Sequence, residues 1–360
     1  MVSENRFILQ VVGNGAYLRK LRIAYFPLSL NLQHPGDRRR LIRWARARKH
    51  EIQIGDTRNC DLAVLSQGSE FPITKLDSKI PKLMDLVDSF GLSNSRSEDI
   101  LRGISKNVPL KSNGIHLAYS KFILSRVSLA DAVVCSSEEQ AEYLLRFNSR
   151  VFPILDSHDE IPEREIRPKR RDNRVNLFWE GQPFTIPPLS IFESPYFSPS
   201  ANFHFNMVSD LEYFEFLRRF RRQRTLDLIS QTLPSYSHSL SKWSIGNLLE
   251  FANSSDIAVI PVNDRKPIQF LKPENRLMIM FRLGIPVVCS RTPSHLRVEK
   301  KLGIQITSEC PLTWKKLIMD FWSDEDLANH LVKKGKWYLK NFHNDTVLFE
   351  KWDTAVHSIT

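Results

Sequence analysis

Residues 271–290 read LKPENRLMIMFRLGIPVVCS, and four of the first six carry chemistry: Lys272, Glu274, Asn275 and Arg276. Behind them an apolar run leads to Gly284 and then into the β-branched segment IPVV. Pro273 suits the first helical position and Gly284 the residue after the last, so a helix over this run is expected. A helix start exposes unpaired N–H groups and partial positive charge, which sets Lys272 and Arg276 against the local field. An anion would resolve the conflict. A diphosphate there takes N–H bonds from the first turn and ion pairs from both cations; the alternative is that the two side chains reach into solvent or pair with Glu274.

Other polar groupings compete for attention. Gly13-Asn14-Gly15 begins like a dinucleotide fingerprint, but Leu18 stands at the third glycine position and a strand opens near Arg22, which favours a hairpin turn over a nicotinamide site. Asp324-Glu325-Asp326 matches the Asp-x-Asp of metal-dependent sugar transferases, yet behind Ser323 it reads as a helix start complementing the dipole. His158, Asp159 and Glu160 form a trio suited to a cleft metal or, more simply, to a solvated linker. The arginines at 38, 39, 40, 43, 46 and 48, and a second cluster over 218–224, divide between a solvated helix face, an anionic membrane surface and nucleic acid, the last disfavoured by the lack of a zinc-finger or ribonucleoprotein motif.

The elements that must position these groups alternate. CDLAVLS (60–66), ADAVVCS (130–136) and SDIAVIP (255–261) each place an aspartate before a continuous apolar run of the length of a strand buried on both faces. Segments 22–30, 81–87, 151–155, 175–179, 203–208 and 285–290 have the same character. Helices are expected over 37–48, from Ser136 with Glu139 at capping-box spacing, and over 210–230 with a stripe of Leu211, Phe214, Leu217 and Phe220. Strand and helix alternating throughout specify α/β, doubly wound. The polar stretch 160–173, interrupted by two prolines, divides the chain into two Rossmann-like halves, 1–160 and 174–343, joined by a linker at 161–173 and facing each other across a cleft. Trp337, Tyr338, Phe342, Phe349 and Trp352 are core candidates in a helical tail.

At 360 residues and 42% hydrophobic, the composition is that of a soluble globular chain of roughly two domains. A formal charge of +11 attracts anions. Cys60, Cys135, Cys289 and Cys310 form no Cys-x-x-Cys pair and read as small buried residues in a reducing compartment. With neither a secretory leader nor an apolar run of about 18 residues, the expected location is the cytoplasm, with a peripheral place at the inner membrane face open through the arginines.

The succession SLADAVVCSSEEQAEYL, RVNLFWEGQP, SSDIAVIPV and LKPENRLMIMFRLGIPVVCS resembles the GT-B glycosyltransferases, two-domain enzymes that move a sugar from a nucleotide donor to an acceptor. The resemblance runs in order over most of 21–355 and implies that Lys272, Asn275 and Arg276 hold the donor diphosphate. It implies a phosphate-side glycine loop at Glu180-Gly181-Gln182, with Gly181 its centre, and a base contact near Ser209 and Asp210. It also implies a tail, 344–360, packing back on the first domain. Where many retaining members carry paired glutamates, this chain has Leu271 and Ile279; Glu274 is the candidate replacement at the ribose. With two cations on the leaving diphosphate, no metal and no cofactor beyond the donor substrate is expected. An inverting reaction adds a general base in the first half, for which His34, Asp37 and Asp88 stand at or just after strand ends; Asp37 also reads as the start of the arginine-rich helix. The implied partners are a nucleotide-sugar donor and a glycan, lipid or small-molecule acceptor. A non-catalytic binder on the same fold is the alternative.

Overall fold

The computed structural model describes residues 19–69, 71–89, 92, 96–105, 117–165, 173–197, 202–214, 221–263 and 267–360. The Gly13-Asn14-Gly15 turn, Arg218 and Arg219 lie outside them. Strands β1 (Arg22–Phe26), β2 (Glu51–Ile54), β3 (Leu62–Ser66), β4 (Lys82–Leu86), β5 (Ala132–Cys135) and β6 (Val151–Pro153) form one parallel sheet in the order β2-β1-β3-β4-β5-β6. A second sheet takes β7 (Val175–Glu180), β8 (Phe203–Ser209), β11 (Ser237–Lys242), β12 (Ile257–Ile260), β13 (Val287–Ser290) and β14 (Thr307–Ser308), in the order β11-β8-β7-β12-β13-β14. Between β8 and β11 lies an antiparallel pair, β9 (Glu212–Phe214) with β10 (Arg221–Arg224).

The helices of the first half are α1 (Pro35–Arg38), α2 (Leu41–Ala47), α3 (Arg96–Ser105), α4 (Tyr119–Leu129) and α5 (Glu138–Leu144). Those of the second are α6 (Thr225–Thr232), α7 (Ile245–Asn253), α8 (Pro267–Phe270), α9 (Asn275–Leu283), α10 (Pro293–Leu302), α11 (Pro311–Ser323) and α12 (Glu325–Phe342), followed by α13 (Asp345–His357). Counted from β7, the second sheet has the doubly wound order 3-2-1-4-5-6, whose direction reverses between β7 and β12. Ligands of such sheets sit beyond the carboxyl ends of the strands at that reversal, which points to Glu180 and the loop behind it.

Each aspartate of the three look-alike segments locks the start of a neighbouring strand. Asp61 accepts from the Arg22 amide at 2.8 Å, Asp131 from Lys82 at 2.7 Å and Asp256 from Asn176 at 2.7 Å. The amide of each aspartate in turn donates to the carbonyl of the same residue across the ladder. A carboxylate before a buried strand thus removes an orphan donor at the sheet's end and fixes register.

The structure corrects several expectations. No continuous helix covers 210–230: β9 and β10 pair there and, among the described residues, only α6 is helical, so Leu211 and Phe214 are exposed instead of lining a stripe. The helix expected over 37–48 breaks at Arg39–Arg40, because Arg40 turns inward to Asp85 at 2.7 Å, to the Ile154 carbonyl at 2.6 Å and to Asp156 at 3.1 Å. The cap of α5 is Ser137, one residue later than expected; Ser136 bonds to the Gln140 side chain. Strands β2, β11 and β14 had no apolar signature because all three are sheet edges, where one side needs no burial. Trp337, expected in the core, is 44% exposed, whereas Tyr338 and Trp352 are buried.

Candidate functional site

Three strand ends and one helix start build the site at the carboxyl edge of the second sheet. β7 ends at Glu180, and a side chain on Gly181 would stand 2.7 Å from Thr185 Oγ1 and 3.0 Å from Trp179, so any larger residue would push on both side chains. Ser209, buried at the end of β8, donates from its hydroxyl to the Gly181 carbonyl at 2.8 Å. Trp243, just past β11, donates its amide to the Ser209 carbonyl and its indole N–H to the Glu180 carboxylate, both at 2.9 Å. Arg276, in the first turn of α9, reaches back to the Glu180 carbonyl at 3.3 Å. Lys272 lies with Nζ 5.3 Å from the centre of the Phe184 ring, so both cations meet the loop that follows β7.

The electrostatics are those of a half-dry notch. Burial pushes the Arg276 guanidinium down, opposed by the Glu180 charge, and pushes the Glu180 carboxyl up, opposed first by Arg276. Among the described residues, Glu180 Oε2 and Asn275 Oδ1 are buried without a hydrogen-bond partner. So are both ring nitrogens of His158, which lies beside Asn275; burial first, then Arg39, drives its pKa well below the ordinary histidine value.

Of the remaining site candidates, Glu274 is buried and gives both carboxylate oxygens to Arg297, at 2.9 and 3.1 Å. Arg297 also grips Glu139 of the first half, at 2.9 and 3.2 Å. In this conformation Glu274 bridges the halves through Arg297. Asp37 is fully buried and accepts four hydrogen bonds, from the Tyr25 hydroxyl at 2.6 Å, the Leu28 amide at 2.8 Å, and the Ser29 amide and hydroxyl at 3.0 Å. His34 caps α1, its Nδ1 accepting from the Gly36 amide at 3.0 Å. Asp88 stands elsewhere. Its carboxylate carries no hydrogen bond among the described residues, and the next residue, Ser89, donates to the Leu271 carbonyl at 3.1 Å, directly before Lys272. Ser137 donates to the same carbonyl at 3.0 Å. Of the three base candidates, Asp88 is therefore the one beside the notch.

The linker trio is neither solvated nor gathered as metal ligands. His158 is 1% exposed and its ring stacks at 5.6 Å on that of His343, where the chain passes back towards the first sheet. Asp159 binds Arg282 at 2.6 Å and Arg43 at 3.4 Å; Glu160 binds Arg38 and Arg39. Arg48 pairs with Asp353 of α13, and Trp352 stacks on Trp44 at 5.7 Å. Five of the arginines in the 38–48 cluster thus turn to carboxylates of the same chain. Asp324 caps α12 through the Leu327 amide at 2.9 Å. Trp243 and Arg39, whose guanidinium lies 5.9 Å over the Trp243 ring, were not among the site residues expected from sequence; Trp243 follows the polar edge strand β11, and without that strand nothing marked it.

No protein-family model matches the chain, and no curated protein matches its sequence. Solved structures do. Sucrose-phosphate synthase from Thermosynechococcus elongatus superposes with a TM-score of 0.55 at 11% identity, over 84% of this chain and 74% of that one. WaaG, a glycosyltransferase involved in lipopolysaccharide biosynthesis, gives 0.53 at 12% identity over 94% and 99%. A mutant of S. aureus TarM in complex with UDP gives 0.50 at 10% identity over 81% of this chain and 55% of that one, so the chain spans about half of TarM's length. Two six-stranded parallel sheets, each flanked by helices, in an arrangement shared with these enzymes give the chain the GT-B fold.

Proposed function

We infer that the chain transfers a sugar from a nucleotide diphosphate donor to an acceptor hydroxyl. The observation that carries this reading is the convergence of Lys272 and Arg276 on the glycine-centred loop Glu180–Phe184, at the strand-order reversal of the second sheet. UDP in the TarM complex supports the same donor class. As the sugar–phosphate bond breaks, negative charge gathers on the leaving diphosphate. The two side chains, with the free N–H groups of α9, stabilise that charge where it develops, without a metal or a cofactor. Gly181 and Ser209 shape the phosphate and base side, and Asn275 opens the first turn of α9 beside them. Asp88, across the cleft, is the best placed of the base candidates to take the acceptor proton. The halves 1–160 and 174–343 divide acceptor from donor binding, with 344–360 returning to the first.

A second reading, a nucleotide-sugar binder without turnover, is favoured by one specific feature: Leu271 and Ile279 are apolar where retaining relatives carry glutamates, and Glu274 is held by Arg297. Incubation with a panel of nucleotide sugars separates the two. Release of nucleoside diphosphate that Asp88→Asn abolishes supports the transferase; calorimetric affinity without release supports the binder; neither affinity nor release rejects both.

A further inference from the structure

Helix α12 packs against α9 and α10, with Ala328, Leu331, Val332, Gly335, Tyr338 and Leu339 turned inward. Its outer side carries His330, Lys333, Trp337 and Lys340, all exposed, with Lys334 and Lys336 at the margins. The indole of Trp337 meets Phe342 edge-on at 5.5 Å and has Lys334 Nζ 5.8 Å from its centre. From α10, Lys301 places its Nζ 4.4 Å over the Phe342 ring, and Lys300 is exposed beside it. Lys301, Phe342, Trp337 and Lys334 thus run as one continuous basic and aromatic strip.

Dipole complementation does not account for it. The macrodipole acts within the last turn, where α12 has Lys340 alone, while Lys333, Lys334 and Lys336 lie further back. The segment 333–340, KKGKWYLK, contains no acid, and among the described residues none of its lysines forms an ion pair. An exposed indole ringed by ammonium groups is the composition of a membrane-interface anchor: the ring seats at the headgroup level and the lysine stems reach past it to phosphates.

We propose that this face of α12 and α10 docks on an anionic lipid bilayer. Nucleic acid fits less well, because the strip has no arginine fork to engage phosphate bidentately. The arginines at 38–48 mostly turn to carboxylates of the same chain, so the charge for docking comes from these lysines. Docking here would hold α9, against which α12 packs, close to the lipid surface, independently of which sugar the cleft takes.

The full chain is sedimented with phosphatidylcholine vesicles, with and without phosphatidylglycerol. Binding to the anionic vesicles alone, falling with salt, is expected. Each lysine near the surface is worth about fivefold in partition, so Lys333→Gln, Lys334→Gln, Lys336→Gln and Lys340→Gln together should cost several hundredfold. Trp337→Ser should remove the blue shift of tryptophan emission, and Arg58→Gln, on a remote exposed loop, should change nothing. Circular dichroism checks that the variants fold. No sedimentation with anionic vesicles, undiminished sedimentation of the fourfold variant, or retention by duplex DNA in place of vesicles would overturn the proposal.

Discussion

Lowering the pH should weaken the junction between the two halves through His343, and the size of the effect follows from its surroundings. The ring is buried and stacked on His158; Nε2 contacts the Asp156 carbonyl at 2.8 Å and Nδ1 has no hydrogen-bond partner among the described residues. Burial and nearby Arg282 oppose a positive charge there, bringing its pKa from 6.5 to about 4 despite the favourable Asp156 contact. The unfolded chain therefore takes up a proton that the folded chain refuses. Stability from this residue is complete above pH 6.5 and is lost as the pH falls from 6.5 towards 4, at up to about 1.4 kcal/mol per unit. Between pH 7 and pH 5 the loss integrates to about 2 kcal/mol. His343→Gln keeps a donor for the Asp156 carbonyl and cannot titrate. Urea unfolding of both proteins at pH 7, 6 and 5, followed by tryptophan fluorescence, isolates the residue because the carboxylate background cancels in the difference. The wild type should lose about 2 kcal/mol more than the variant over that range. Parallel curves would refute the assignment of a neutral, proton-refusing ring at this junction.

Lys272→Ala and Arg276→Ala should each weaken nucleotide-sugar binding by about 1–3 kcal/mol, the range for hydrogen bonds to charged groups; wild-type affinity by calorimetry in both would remove the two cations from the donor site. Gly335→Ala should destabilise by about 1–3 kcal/mol, because its methyl would lie 2.5 Å from Phe281 Cδ1 and 2.7 Å from Cγ in a buried contact between α12 and α9. The gain in helix propensity, about 1 kcal/mol, is too small to reverse the sign, so a higher melting temperature would contradict the packing. Asp256→Ala leaves the Asn176 amide without its carboxylate and should cost about 1–3 kcal/mol in chemical denaturation; an unchanged midpoint would show that the aspartate before the strand is dispensable.

The central strands were legible because burial on both faces leaves a continuous apolar run, as in LAVLS, AVVC and IAVI, each buried throughout. Edge strands such as SHSLSK carry no such run, and the residue that follows β11, Trp243, was invisible for the same reason. The cations at α9 stand out in the sequence because positive charge at a helix start works against the local field. Their true neighbours, Glu180 and Phe184, lie about a hundred positions away, and nothing local announces a contact that only the closed sheet creates. The arginine cluster misled in the same way: its carboxylates at 85, 159, 160, 345 and 353 come from three distant segments. His158 and His343, 185 positions apart, meet only because the chain crosses between the halves at both points.

Helix α9 is held to the first half at both ends. Before its start, the Leu271 carbonyl takes the Ser89 and Ser137 hydroxyls, and Glu274 reaches Glu139 through Arg297. Near its end, Arg282 grips Asp159 and the Ile161 carbonyl where the chain leaves the first half. Charge-assisted bonds at two ends of a rigid rod leave it little freedom to tilt on its own, so the position of its first turn is set by how the halves meet. That turn is also where Arg276 joins the loop after β7. On the proposed function, an anion placed there would bind to an element shared by both halves, and the donor would be received in the arrangement in which Asp88 stands beside it.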